Sequence, residues 1–306
     1  MCEVGLALAS CAAKTPRVDA QPDTTKPVLV FGEHGQLARA LCRSLLARGE
    51  VFRAVGSRHC DLAVDPEAAG AWVKGARAVV NASAFTAVDA AESQPAANRA
   101  LNATAPAVMA AACAREGIPF VHVSTDYVFN AGQGVAIPPE TKPRPLNAYG
   151  RAKLAGERAV KAAGGRSLTV RTSWVFDGTG RNLLTTMKDL STRGIVSVVD
   201  DQIGRPTYAG DLAEALLDAL QSGWAGTALA HYQGGGAPVS WAGFAEAVFA
   251  ALRSGTRVER IPTSDYPTPA ARPRWSVLDT SGFARSFGHS PLPWRDGLRL
   301  ALEEAR

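Results

Sequence analysis

The sequence predicts an α/β fold, a Rossmann-type doubly wound parallel sheet with a smaller C-terminal lobe. Two observations carry this. From Pro27 onward short apolar runs alternate with amphipathic segments, and strands separated by helices need crossover connections, which a parallel sheet covered on both faces provides. A turn with two glycines, Gly32-Glu33-His34-Gly35, separates the first apolar run from the first amphipathic segment. That is where a dinucleotide-binding sheet carries its phosphate turn.

Each element follows from its pattern. Val28 to Phe31 is an unbroken apolar run, as in a strand buried on both faces, and Gln36 to Arg48 sets Leu37, Leu41 and Leu45 on one helical face. Val51 to Val55 is the next strand, Pro66 to Lys74 a helix and Ala78 to Val80 a third strand. Pro95 to Arg115 reads as a long, alanine-rich helix that stops at Gly117, before a strand at Pro119 to Val123. Ala131 to Asn147 is rich in glycine, proline and polar residues and is predicted as a long loop over the sheet. Helices at Asn147 to Ala163, Asn182 to Arg193 and Asp211 to Gln221 then alternate with strands at Leu168 to Arg171 and Ile195 to Val199. The last third carries Gly234-Gly235-Gly236 and a proline-rich stretch, Pro262 to Pro273; it looks less regular and ends in a helix around Asp296 to Glu303. The predicted organisation is a disordered leader over residues 1–26, a nucleotide-binding sheet domain over most of 27–176, and a substrate-binding lobe over most of 177–306, with some of its segments returning to the sheet.

Composition narrows the function classes. The chain has 306 residues, 46% hydrophobic and 20% charged, which suits a globular protein and excludes fibrous or low-complexity chains. Its net charge of +5 permits an anionic small-molecule ligand and is too diffuse to indicate nucleic acid. Five irregularly spaced cysteines without a CxxC pair, and histidines without an HExxH pair, argue against a metal centre and for a reduced, cytoplasmic protein. No apolar run reaches the roughly 18 residues of a membrane span. Leu8-Ala9-Ser10-Cys11 resembles the end of a lipoprotein signal, but the residues before it lack Lys and Arg and include Glu3, so a disordered leader is the expectation.

Three clusters carry candidate chemistry. Gly32, Gly35 and Ala38 follow a GxxGxxA spacing that lets backbone N–H groups reach a diphosphate at the start of a helix. Beyond the second strand, where an acid would hold the ribose of NAD, the chain has Gly56-Ser57-Arg58. Ser57 and Arg58 suit a 2′-phosphate, so NADPH is predicted, with NADH possible. Tyr149 and Lys153 lie four residues apart on one helix face, where a lysine cation lowers a phenol toward the range useful for proton exchange. Ser124-Thr125-Asp126 follows the fourth strand at its carboxyl end, and Thr125 can hydrogen-bond a reacting carbonyl.

Together these clusters resemble the extended short-chain dehydrogenase/reductases. Residues 31–37, 80–89, 124–129, 171–176, 200–207 and 266–273 resemble more particularly the dTDP-4-dehydrorhamnose reductase family, over about residues 27 to 302. The resemblance implies NADPH-dependent reduction of the C4 keto group of dTDP-4-dehydro-β-L-rhamnose, the last step of dTDP-L-rhamnose biosynthesis. It further implies Tyr149 as proton donor, Lys153 as its partner and Thr125 as the assisting residue. Gly35, Gln36 and Leu37 would contact the cofactor diphosphate, Asp61 and Leu62 the adenine region, and Ala84, Phe85 and Thr86 would line the cofactor. Thr125, Asp126 and Trp174 match positions that contact the nucleotide sugar; Trp174 reads equally well as a core aromatic. Some family members bind magnesium through glutamates, one of them at the position of Ala40 here, so magnesium and the homodimer it would support are doubtful. Trp275 replaces a usual polar residue and is expected to alter substrate selectivity. The alternatives are a reductase or epimerase of another nucleotide-linked 4-keto sugar, or a non-catalytic regulatory subunit of the same fold.

Overall fold

The computed structural model describes residues 23–132 and 134–305. The expected leader up to residue 22, and with it the Cys11 signal, lies outside the described residues. Strands β1 (Val28–Phe31), β2 (Phe52–Val55), β3 (Ala78–Asn81), β4 (Phe120–Thr125) and β5 (Ser167–Thr172) join a sixth, Thr227–His231, in one parallel sheet. Its order is Thr227–His231, β5, β4, β3, β1, β2. β1 pairs in parallel with β2 on one side and β3 on the other. The chain therefore turns outward in both directions from β1, and the crevice beyond the carboxyl ends of β1 and β3 is where open sheets of this kind bind ligands.

Both faces of the sheet are covered, so its central strands read as continuous apolar runs. In β1, Val28 and Val30 face a core shared with Leu41 and Leu45 of helix α1 (Gln36–Ala47) and with Leu212 and Leu216 of the Ala209–Ser222 helix. Leu29 and Phe31 point the other way, against Met109, Cys113 and Val160. A third core, with Phe176, Tyr208, Phe244 and Trp294, lies in the C-terminal part. There Ile195–Val199 pairs in parallel with Arg257–Ile261 in a two-stranded sheet of its own.

Three differences from the sequence reading have physical causes. Pro66 to Lys74 is a 3₁₀ turn, Pro66–Ala68, capped by Asp65, followed by the short helix Ala69–Trp72. The long helix from Pro95 is interrupted by a π turn at Ala100–Thr104. Pro106 has no N–H to offer the Asn102 carbonyl, so the helical ladder skips there. The last third is more regular than expected: it holds the helix Trp241–Ala251 and the Thr227–His231 strand that completes the main sheet. That helix is apolar almost all round, which hides the helical period. No helix of the described residues is long and apolar enough to cross a membrane, and Cys42, Cys60 and Cys113 are free thiols.

Candidate active site

The glycine turn forms one end of a cavity of about 750 Å³ above the carboxyl ends of the strands. Gly32 has φ +103°, and a Cβ there would lie 2.9 Å from the Ala82 backbone, so only glycine fits between β1 and β3. The Gly35 N–H donates to the Gly32 carbonyl at 2.7 Å, which closes the turn and makes Gly35 the N-cap of α1. The first N–H groups of a helix have no partner within it and are free for an anion. Ala38, standing for a third glycine, is wholly buried, and its methyl group fits between helix and sheet. Gln36 lines the cavity with a buried Oε1 that no donor reaches.

Of the predicted cofactor residues, Gly32, Gly35, Gln36, Leu37 and Ser57 all line this cavity, as do Asp61, Leu62, Ala84 and Thr86. Two do not. Arg58 is exposed and away from the lining, so the expected 2′-phosphate contact has only Ser57 on the wall. Phe85 is held aside because the Asn102 side chain accepts from its N–H at 3.1 Å and donates to its carbonyl at 3.0 Å.

At the far end the cavity brings together Thr125, Asp126, Tyr149, Lys153 and Trp174. The Ala148–Ala163 helix starts at Asn147, whose side chain accepts from the Gly150 N–H at 2.8 Å. This cap fixes the first turn, and with it Tyr149, while Lys153 follows one turn later on the same face. Gly150 is required because a Cβ would collide with the Tyr127 carbonyl. The Tyr127 ring meets Tyr149 edge-on with centroids 5.5 Å apart.

The electrostatics differ from the expected lysine-lowered phenol. Burial pushes Tyr149 above the ordinary phenol range; the Thr125 hydroxyl acts against this, and the Asp126 carboxylate adds to it. The Lys153 ammonium donates to the Val123 carbonyl at 2.6 Å rather than to the phenol. Burial lowers Lys153 to about 8, and Glu157 opposes that fall. Asp126 is raised to about 6 by burial; Thr125 donates to its Oδ1 at 3.0 Å, and its Oδ2 is buried without a partner. Thr172 Oγ1 on the same wall is also unpartnered.

Beneath this cluster, Glu157 and Arg171 form a buried bidentate ion pair at 2.8 and 2.7 Å, and the Ser124 hydroxyl donates to the same carboxylate at 2.6 Å. Trp174 is half-buried, has φ +49° and stacks on Trp241 at 3.4 Å with planes 8° apart. Both indoles line the cavity, so Trp174 is not a plain core residue. Trp275 is not on the wall; its indole N–H donates to the Val135 carbonyl at 2.7 Å and ties down the loop after β4. Ala40 is buried in α1, and no group of three or more His, Cys, Asp or Glu side chains among the described residues could hold a metal. Sequence reasoning missed Glu33, Arg39, Arg181 and Trp241, all on the wall. Glu33 and Arg39 carried a signal, since Glu33 lies within the glycine turn and Arg39 in the first turn of the helix after it; Trp241 becomes visible only once its helix packs.

Comparison with known proteins agrees with this geometry. The family described as the RmlD substrate binding domain matches residues 26–306. A dTDP-4-dehydrorhamnose reductase of Burkholderia thailandensis is 41% identical over 297 residues, covering 90% of this chain and 98% of that protein. The Escherichia coli reductase of the same name is 34% identical over 291 residues, with 90% and 97% covered. The crystal structure of dTDP-4-dehydrorhamnose reductase from Bacillus anthracis in complex with NADP superposes with a TM-score of 0.85 at 30% identity, covering 91% of this chain and 99% of that one. The glycine turn, the Thr125, Tyr149 and Lys153 cluster and these matches over nine-tenths of the chain agree: the chain belongs to the dTDP-4-dehydrorhamnose reductase family.

Proposed function

We propose that this chain is an oxidoreductase that reduces the C4 carbonyl of dTDP-4-dehydro-β-L-rhamnose to give dTDP-β-L-rhamnose, using NADPH or NADH. The carrying observation is that Thr125, Tyr149 and Lys153 share one cavity with the Gly32–Gly35 turn. A purely binding protein has no need of that proton-handling set. The turn fits a dinucleotide: glycine leaves no side chain between the α1 N–H groups and the cavity, and Gln36 Oε1 offers a buried acceptor. When bound, a reduced nicotinamide supplies the hydride.

The protein's own part is position and proton. A phenol held above its ordinary range keeps its proton near neutral pH, so Tyr149 stands as the acid that delivers it to the developing oxyanion. Thr125, next to it, hydrogen-bonds the carbonyl oxygen and orients it. Lys153, still largely charged below about pH 8, favours the phenolate left after the proton moves. Asp126 Oδ2 and Thr172 Oγ1 are unpartnered groups suited to sugar hydroxyls, and the Trp174 indole offers a flat face. Gly35, Gln36 and Leu37 serve the diphosphate, with Ser57, Asp61 and Leu62 on the adenosine side and Ala84 and Thr86 farther along. Residues 27–176 act mainly as the cofactor domain and 177–306 mainly as the substrate lobe. The three free thiols suit a cytoplasmic enzyme.

The test is to follow cofactor absorbance with a panel of dTDP- and UDP-linked 4-keto sugars. Consumption confined to dTDP-4-dehydro-β-L-rhamnose supports the reading. Consumption only with another sugar moves the substrate, and cofactor binding without any consumption leaves the regulatory role.

A further inference from the structure

The second strand of this chain ends without the acid that ordinarily holds an adenosine ribose, yet the structure supplies a carboxylate there from another element. Glu33 sits in the turn between β1 and α1. That turn is tied to the end of β2 because the Gly32 N–H donates to the Val55 carbonyl at 2.9 Å. The Glu33 side chain folds over Gly56, the first residue past β2: a Cβ on Gly56 would lie 3.0 Å from the Glu33 Cβ and collide with its carboxylate. Gly56 is thus the residue that admits the carboxylate. Glu33, Gly56 and Ser57 all line the cavity. Glu33 Oε2 is buried and accepts no hydrogen bond. The nearest imidazole nitrogens, of His59 and His34, are 3.6 and 3.8 Å from it, too far for one. A buried acceptor without a donor is costly, and a ligand hydroxyl would satisfy it.

We propose that Glu33 discriminates at the ribose 2′ position: its carboxylate accepts from the 2′-hydroxyl of NAD(H) and repels the 2′-phosphate of NADP(H), so that NADH competes with NADPH for this cavity. The inference rests on the dinucleotide reading of the cavity. It assigns to the turn a role that dinucleotide-binding folds give to the residue after the second strand. Ser57 can donate to either nucleotide, and the exposed Arg58 stands off the wall, so the charge on Glu33 is what separates the two. A 2′-phosphate beside a carboxylate is a like-charge contact; removing the charge relieves it and at the same time weakens the hydrogen bond from the 2′-hydroxyl of NAD(H), so both effects move the ratio the same way.

Calorimetric titration of the full chain with NAD+ and with NADP+ tests this without turnover, using Glu33→Gln, which keeps the side-chain shape, and Glu33→Ala. The expected result is that the ratio of the NADP+ to the NAD+ association constant rises about tenfold in both variants, against roughly the 1.4 kcal/mol that a factor of ten represents. If Glu33 only shaped the turn, both nucleotides would change alike; a ratio within twofold of the starting protein overturns the proposal and leaves the dinucleotide reading intact. Failure of the starting protein to bind either nucleotide overturns both.

Discussion

At the residue scale, the roles proposed for Tyr149, Lys153 and Asp126 each have their own test. Tyr149→Phe removes the proton and little else, so turnover should fall about a hundredfold or more while nucleotide binding by calorimetry stays within twofold. Unchanged turnover would remove Tyr149 from the role. Lys153 gives a pH prediction. Burial lowers its proton affinity to about 8, so the activity supported by its charged form is present below that value and is lost as pH rises through it. kcat/KM for the cofactor, which reports the free enzyme, should fall above about pH 8; a flat profile to pH 10 would contradict it. The same lowering means that the unfolded chain binds more protons between about pH 8 and the ordinary lysine value, so this group's contribution to stability rises with pH across that window. Asp126 has the opposite sense for an acid. Its folded value is raised to about 6, so ionising it in place costs stability at neutral pH. Asp126→Asn should raise the melting temperature at pH 7 by a few degrees and lower kcat/KM for the sugar. A lower melting temperature would show that the carboxylate is structurally needed.

At the scale of elements, the two ends of the cavity are set by two helix starts. α1 starts at Gly35 and offers bare N–H groups; the Ala148–Ala163 helix starts at Asn147, whose side chain takes the Gly150 N–H and also donates to the Ala271 carbonyl at 2.8 Å. Asn147→Ala should cost about 1 kcal/mol as a lost cap, read from urea unfolding. Because the same side chain anchors the proline-rich segment, kcat/KM for the sugar should fall more than cofactor affinity does; equal losses would mean the cap alone matters. Both helix starts were legible in the sequence, as glycines after an apolar run and as Asn147 before a Tyr-x-x-x-Lys spacing. What was not legible is contact between elements distant in the chain. The carboxylate over Gly56 comes from Glu33, whose sequence neighbours say nothing of β2. Phe85, off the wall, has its backbone held by Asn102, a buried residue of the π turn seventeen positions further along the chain. The Trp241–Ala251 helix escaped notice because its residues are apolar on nearly every side, its exposed face included, which erases the period by which a helix is read.

At the scale of the whole molecule, a buried pair joins the sheet, the Ala148–Ala163 helix and the loop above them. Glu157 lies on the helix of Tyr149 and Lys153; Arg171 lies on β5, and its Nη1 also donates to the Pro139 carbonyl at 3.1 Å, in the long loop after β4. Ser124, from β4, completes the carboxylate's partners. Both ionic side chains are nearly wholly buried, at 8% and 3% exposure. At that depth, removing one partner leaves an uncompensated charge, a loss of about 3–5 kcal/mol, whereas replacing both by apolar groups of similar volume is often nearly neutral. Glu157→Gln should therefore destabilise strongly in urea unfolding, and the double variant Glu157→Met with Arg171→Met should recover most of that loss. A single variant costing no more than a surface pair, below about 1 kcal/mol, would contradict the network. The pair also reaches the chemistry. Glu157 is what opposes the lowering of Lys153, so without its charge the ammonium releases its proton at lower pH. The alkaline fall in kcat/KM should move below pH 8 in Glu157→Gln, provided the variant is assayed well below its melting temperature. An unmoved limb would mean that Glu157 holds the fold and leaves the charge of Lys153 to its burial alone.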